Sequence, residues 1–264
     1  MDRTSRSVWR SAKVLGIFAR REGFTDPGEE RAIAAVAESA RGRAILDIGV
    51  GGGRTVPILR SLSEDYTAVD YLPEMVELTR SAYPGVRVEK GDARDLGDFE
   101  DATFALVVFS LNGIDGLAHE DRREVLAAVK RVLAPGGAFL YSTHNLDHPA
   151  AGEAPWARCR LPGRITARPL AAWALRLPRR SVSFLRLRRL TMRREDWAVL
   201  VGASYGYGIV GHYVTLEAAL RELAEAGYEA GVRVFGSAGD ELRSGDDTRA
   251  SEWFQLIARK PAGG

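Results

Sequence analysis

Ala44-Ile45-Leu46-Asp47-Ile48-Gly49-Val50-Gly51-Gly52-Gly53 decides how this chain folds. A short apolar run that ends in glycines reads as a buried strand entering a tight turn. Glycines at alternate positions remove the Cβ atoms that would hold a ligand off the backbone. The N-terminus of the next helix, expected from about Thr55 to Leu62, adds free N–H groups. Alone, such a turn suits any nucleotide. A dinucleotide fingerprint counted from Gly49 needs a small residue at position 54, where Arg54 stands, and this disfavours NAD.

Working outward, Asp26-Pro27-Gly28-Glu29 supplies an N-cap acid, a proline at the first helical position and a glutamate at N3. A helix is therefore expected to run from there to about Ala40. Downstream, Tyr66–Asp70, Val86–Glu89, the almost wholly apolar Phe104–Ser110 and Ala138–Thr143 read as further strands. Helices near Glu74–Ala82 and Asp121–Leu133 alternate with them. That alternation predicts a doubly wound, mostly parallel α/β sheet. Thr215 is a plausible N-cap for a last helix ending at Gly227. Two closing strands, Val232–Phe235 and Trp253–Ala258, are separated by a loop and should pair antiparallel. Between Asn145 and Thr215 the pattern loosens, first into an Arg-, Trp- and Pro-rich stretch and then into the Gly- and Tyr-rich 204–213. An α/β cap inserted between the fifth strand and the last helix is expected there.

At 264 residues and 45% hydrophobic content, the chain suits one enlarged domain. The divisions read as an N-terminal cap segment over 1–26, a core over 27–145, an inserted lid over 146–213 and a completion of the core over 214–264. The single cysteine, Cys159, excludes an intrachain disulfide framework, and no metal ligands are assigned. Without a signal-peptide core or a charge-free stretch of spanning length, the expected setting is the cytoplasm. Net charge is +2, yet residues 151–194 hold twelve arginines against the one acid Glu153, leaving the remainder near −9. Much of such a run is ordinarily a solvated face, although it can also meet a phosphate, an acidic carrier or a membrane surface.

Two further acids sharpen the ligand. Asp70, ending the second strand, can accept hydrogen bonds from both hydroxyls of a ribose. In Gly91-Asp92-Ala93, after the third strand, Asp92 can accept an exocyclic amine of adenine. Glycine loop, ribose acid and adenine acid then line the carboxyl edges of three successive strands, the usual ligand crevice of such a sheet.

With these residues, the strand end Phe109-Ser110-Leu111-Asn112 and Arg131-Val132-Leu133-Ala134-Pro135-Gly136-Gly137, the sequence resembles the class I methyltransferases dependent on S-adenosylmethionine (SAM). The resemblance covers roughly 27–145, with weaker support from 215–260. It implies a seven-stranded sheet with a reversed last strand. It also implies a SAM site in which Asp47 belongs to the glycine loop and Gly49 and Gly51 face the methionine portion. In that site Asp70 holds the ribose, Asp92 and Ala93 hold the adenine, Tyr71 and Leu72 flank its ring, and the Ser110 backbone meets the methionine amine.

The acceptor must lie at the carboxyl ends of the fourth and fifth strands, where Asn112, Asp115, His144 and Asn145 stand. His144 is the leading general base, with Asn112 and Asp115 as further catalytic candidates, because a hydroxyl acceptor needs a proton acceptor whereas a neutral amine needs only positioning. His148 is an alternate, and His119 is expected at the surface. Tyr205 and Tyr207, at alternate positions of an extended segment, together with His212 and Tyr213, could wall the acceptor. Trp9, Phe18 and Phe24 could close over the site from the N-terminal segment.

The expected activity is methyl transfer to an O or N atom of a small molecule such as a sugar, glycan precursor or specialised metabolite. RNA or protein methylation through the Arg-rich insert and a non-catalytic SAM-binding role are the alternatives. Nucleic acid is disfavoured by the sparse lysines and by Ser110-Leu111-Asn112-Gly113, which stands where a base-methylating motif would. Monomer and homodimer remain equally open.

Overall fold

The computed structural model describes residues 8, 10–19, 25–157 and 167–263, with the backbone only at 12, 13, 19 and 167–176. Its strands are β1 (Ile45–Ile48), β2 (Tyr66–Asp70), β3 (Arg87–Lys90), β4 (Phe104–Phe109), β5 (Leu133–Asn145), β6 (Met192–Arg193), β7 (Trp197–Val201), β8 (Val210–Val214), β9 (Arg233–Gly236), β10 (Glu241–Leu242) and β11 (Trp253–Arg259). Its helices are α1 (Ala12–Ala19), α2 (Pro27–Ala40), α3 (Val56–Arg60), α4 (Pro73–Ala82), α5 (His119–Val132), α6 (Ala167–Leu187) and α7 (Leu216–Glu225).

All strands join one sheet, ordered β10-β9-β11-β5-β4-β1-β2-β3 with a β6-β7-β8 branch. Strands β1 to β5 pair in parallel and β11 runs antiparallel to both β5 and β9, as the alternation and the loop-linked closing pair predicted. The sheet is buried along its middle: β1, β2 and β4 are buried at every position and apolar but for Asp47 of β1 and Tyr66, Thr67 and Asp70 of β2. A strand covered by helices on both faces must read that way. On one face Val36, Ile45 and Leu106 pack together, and on the other Leu46, Val107, Val125 and Leu223.

Local chemistry sets the helix starts. Asp26 caps α2 by accepting from the Glu29 N–H at 2.8 Å, with Pro27 in the first turn, and Thr215 caps α7 by accepting from the Ala218 N–H. Asp26 does more than cap: its Oδ2 accepts from Trp253 Nε1 at 2.8 Å and so ties α2 to β11.

Three departures from the sequence reading stand out. Strand β5 begins at Leu133 rather than Ala138, because a register shift opposite Phe104–Leu106 carries the Pro135-Gly136-Gly137 irregularity within the ladder. A short β10 lies in the loop expected between the closing strands and forms a hairpin on β9. The inserted segment also extends the main sheet. Its hairpin β7–β8 joins the main sheet where β8 pairs in parallel with the last residues of β5, His144 opposite Tyr213 and Asn145 opposite Val214. The expected boundary at 213/214 therefore falls inside a strand.

Candidate functional site

The glycine loop leaves β1 with Gly49 at φ +67°, Gly51 at +57° and Gly53 at +83°, a left-handed run that glycine adopts without a Cβ penalty. At Gly49 a Cβ would also lie 2.8 Å from the Phe109 ring, so strand β4 presses directly on the turn. Asp70 clamps the loop from the side: its Oδ2 accepts from the Gly51 N–H and its Oδ1 from the Leu72 N–H, both at 2.9 Å. Burial raises the Asp70 carboxyl above its ordinary range, and these backbone donors partly offset it. Asp92 behaves oppositely. Arg94 holds its carboxyl below the usual range through a 2.6 Å ion pair and in turn reaches Asp121.

Gly49, Gly51, Asp70, Tyr71, Leu72, Asp92, Ala93 and Ser110, eight of the nine residues expected around the cofactor, line one cavity. Met75, Phe109 and Leu117 add apolar wall, and Phe18 of α1 closes in beside Gly51. The ninth, Asp47, is not in that wall. It lies beneath the loop, fully buried, where its Oδ2 accepts from Thr55 Oγ1 at 2.5 Å and Tyr66 Oη at 2.7 Å while Oδ1 has no partner. Desolvation pushes its carboxyl up to about 6. Of the N-terminal aromatics, Trp9 and Phe24 fall outside the described residues.

A second cavity shares Leu111, Gly113 and Gly116 with the first and is bounded by Asn112, Asp115, His144, Tyr205 and Trp253. Here the three residues expected to be catalytic are hydrogen-bonded together. Asp115 Oδ2 accepts from both the His144 backbone N–H and His144 Nδ1 at 2.7 Å, while Oδ1 accepts from Thr143 Oγ1 at 2.6 Å and Arg122 at 3.0 Å. An Nδ1–H donated to a carboxylate leaves the opposite ring nitrogen unprotonated, an acceptor for the Asn112 amide. That nitrogen, Nε2, lies 3.2 Å from Asn112 Nδ2. Leu111 and Asn112 sit at φ +52° and +56°, a left-handed pair of non-glycine residues of the kind found at functional sites. The Asn112 N–H donates to Ser142 Oγ at 2.7 Å, which fixes that turn.

Behind Asp115 lies a network the sequence reading missed. Arg122 is buried and bridges Asp115 to Glu222 Oε2, at 3.0 and 2.9 Å. Glu222 Oε1 stands 3.9 Å from His119 Nδ1, which in turn lies 3.1 Å from His212 Nε2. The signal was legible in α5: Arg122, Val125, Leu126 and Val129 share the i, i+3, i+4, i+7 face, so a charge occupied a core position. His119 is not a free surface side chain but stacks on Trp197 at 4.0 Å.

The expected acceptor residues separate. Tyr205 lines the second cavity, whereas Tyr207 is buried with Leu187 and Val201. They do not share a face because the segment is a tight 3₁₀ turn, with Tyr205 at φ +52° and Tyr207 at +64°, rather than a strand. Asn145 points away, its amide donating to the Thr248 and Ser251 carbonyls. Tyr213 is buried with its ring 4.7 Å from His144, supporting the imidazole from behind. His212 lines a neighbouring cavity beside Met192 and Trp197, and burial, followed by the nearby Arg122, His119 and His144, lowers it to about 2, so it stays neutral.

Residues 45–137 match the family model for a methyltransferase domain. The chain's fold is that of the class I methyltransferases. An O-methyltransferase of Penicillium expansum is 32% identical over 127 residues, covering 45% of this chain and 44% of that protein. The chain spans about half the length, or less, of the first curated methyltransferases it matches. Among solved class I folds, the SAM-bound amino pentose methyltransferase of Micromonospora echinaspora aligns with TM-score 0.56 at 20% identity, covering 94% of this chain and 96% of that one. The 1,6-didemethyltoxoflavin-N1-methyltransferase of Burkholderia thailandensis, with its substrate and S-adenosylhomocysteine bound, aligns with TM-score 0.56 at 16% identity, covering 97% and 88%. At those identities the likeness is one of fold.

Proposed function

We propose that the chain is a methyltransferase that uses SAM to methylate an oxygen or nitrogen of a small molecule, with His144 as general base. The observation that carries this reading is the bonded set Asn112–Asp115–His144 in a cavity that shares Leu111, Gly113 and Gly116 with the first.

The first cavity suits SAM. Asp70 retains lone pairs beyond its two backbone donors and can accept a ribose diol. An apolar slot of Leu72, Met75, Ala93 and Leu117 with Asp92 at its edge suits a flat base bearing an amine. Gly49 and Ser110 are left for the methionine portion. When bound, SAM supplies an electrophilic methyl whose bond to the sulfonium sulfur breaks as the acceptor attacks.

The chain's own part is alignment and proton removal. Asp115 holds the His144 ring by its Nδ1–H, so Nε2 can take the proton of an acceptor hydroxyl that displaces the Asn112 amide from it, and the carboxylate then stabilises the imidazolium. The displaced Asn112 amide is left beside Nε2 to hold the acceptor atom. Tyr205 and Trp253 bound the acceptor space, and the 146–213 insert serves as its lid, with 1–26 capping the cofactor side.

Incubation with SAM and pools of hydroxyl and amine compounds should release S-adenosylhomocysteine. His144→Ala should lower turnover by roughly 10²–10⁴ while leaving SAM affinity intact. Binding of SAM with no turnover on any pool would reduce the chain to a SAM-binding protein, and full turnover by His144→Ala would remove the base.

A further inference from the structure

Elsewhere on this molecule many arginines sit beside acids, among them Arg60 with Glu64, Arg80 with Glu77, Arg131 with Asp101, Arg233 with Glu241 and Arg249 with Asp247, while among the described residues the exposed Arg41, Arg43 and Arg243 stand apart from one. The stretch from Arg179 to Arg194 breaks that habit. It carries seven arginines and no acid, all seven are exposed, and among the described residues none has a carboxylate partner. The unpaired arginines elsewhere are scattered, whereas here seven are gathered in sixteen residues with no acid among them.

Large apolar side chains are interleaved with these cations. Val182, Leu185, Leu190 and Met192 are 57%, 48%, 42% and 46% exposed, and Trp156 is 50% exposed. They are not a core face lacking its cover. On α6 the inward side is Phe184, edge-on to Trp156 and Tyr207, together with the buried Leu187. Arg179, Val182, Leu185 and Arg186, at helical spacing, occupy the outward side.

We propose that this face docks on the surface of an anionic lipid bilayer. Guanidinium groups would meet headgroup phosphates while the four aliphatic side chains enter the acyl boundary. Single aliphatics scattered between cations suit a fluid surface, which imposes no shape. A protein partner would instead need its anchors gathered in one well-packed patch. Nucleic acid would make no use of the aliphatics, and base stacking calls for exposed aromatics, which the 179–194 run lacks. No described helix is long and apolar enough to cross a membrane, and the proposed contact is peripheral. The face is continuous with the acceptor side: Phe184 packs on Tyr207, two residues beyond the cavity-lining Tyr205, and Leu190 and Met192 themselves line the neighbouring cavity.

Flotation of the whole chain with vesicles of phosphatidylcholine, and with an equal mixture of phosphatidylcholine and phosphatidylglycerol, tests this. Binding should be confined to the anionic vesicles and should weaken as salt screens the charges. Each basic residue near such a surface contributes about fivefold, so the double variant Arg186→Glu, Arg189→Glu should cut partitioning by at least about 25-fold. Leu185→Asp, which leaves every arginine in place, should also weaken it. Both sites are exposed, so far-UV circular dichroism and the unfolding midpoint should not move. Binding to neither vesicle, equal binding to both, or retention of binding by the double variant would overturn the proposal. Retention on RNA without vesicle binding would overturn it equally.

Discussion

Asp115→Asn is the sharpest test of how the second cavity is held. The wild-type carboxylate takes four donors: the His144 N–H and Nδ1 on one oxygen, Thr143 Oγ1 and Arg122 on the other. An asparagine keeps one acceptor and brings an NH₂ that must face one of those pairs. Turned toward Arg122, it sets donor against donor. Turned toward His144, it clashes with the backbone N–H and forces the ring to accept at Nδ1, which moves the ring proton to Nε2 and abolishes the base. Arg122 keeps only Glu222 as a charge partner, and breaking a buried pair in this way costs about 3–5 kcal/mol. For a chain of this size that lowers the unfolding midpoint by on the order of 10 °C. Nitrogen NMR of the His144 ring reads the tautomer without any acceptor: Nδ1–H in the wild type, Nε2–H in the variant. Turnover, once an acceptor is in hand, should fall by roughly 10²–10⁴ per folded molecule. An unchanged tautomer with unchanged turnover would refute the argument, even if stability fell.

Asp47 should make stability depend on pH. Its folded carboxyl sits at about 6 against an ordinary 3.8, so the folded state holds a proton that the unfolded state has released. Its contribution is complete below pH 4 and is lost as pH rises through 6, a change of about 3 kcal/mol. The urea-derived stability difference between wild type and Asp47→Asn should shift by that amount between those limits, and a difference flat with pH would sink the assignment. At Gly113 a Cβ would lie 2.2 Å from the Phe109 ring, so Gly113→Ala should displace the ring that abuts Gly49, cost about 1–3 kcal/mol and weaken S-adenosylhomocysteine binding; unaltered calorimetric affinity would show the ring is not part of the site. S-adenosylhomocysteine should raise the unfolding midpoint increasingly with concentration while NAD leaves it unmoved, and equal shifts from both would overturn the cofactor reading.

What could be read from the residues alone was what local chemistry dictates. The capped start of α2, the apolar strands of a sheet covered on both faces and the glycine turn depend on neighbours in sequence, and the order of strands and helices then restricts the topology. The carboxyl edges of successive strands lie side by side in such a sheet, so Asp70, Asp92 and His144 could be brought to one rim before any coordinate was known. Side-chain direction within irregular backbone could not. Tyr205 and Tyr207 parted because a left-handed turn replaced an extended segment, and Asn145 turned toward the 248–251 loop, whose carbonyls needed its donors. Asp47 turned beneath the loop, where Thr55 and Tyr66 offered it hydroxyls. The Asp115–Arg122–Glu222 network joins residues up to 107 positions apart through three separate elements. Only packing α7 against α5 brings those charges into contact, and their burial then makes their pairing obligatory.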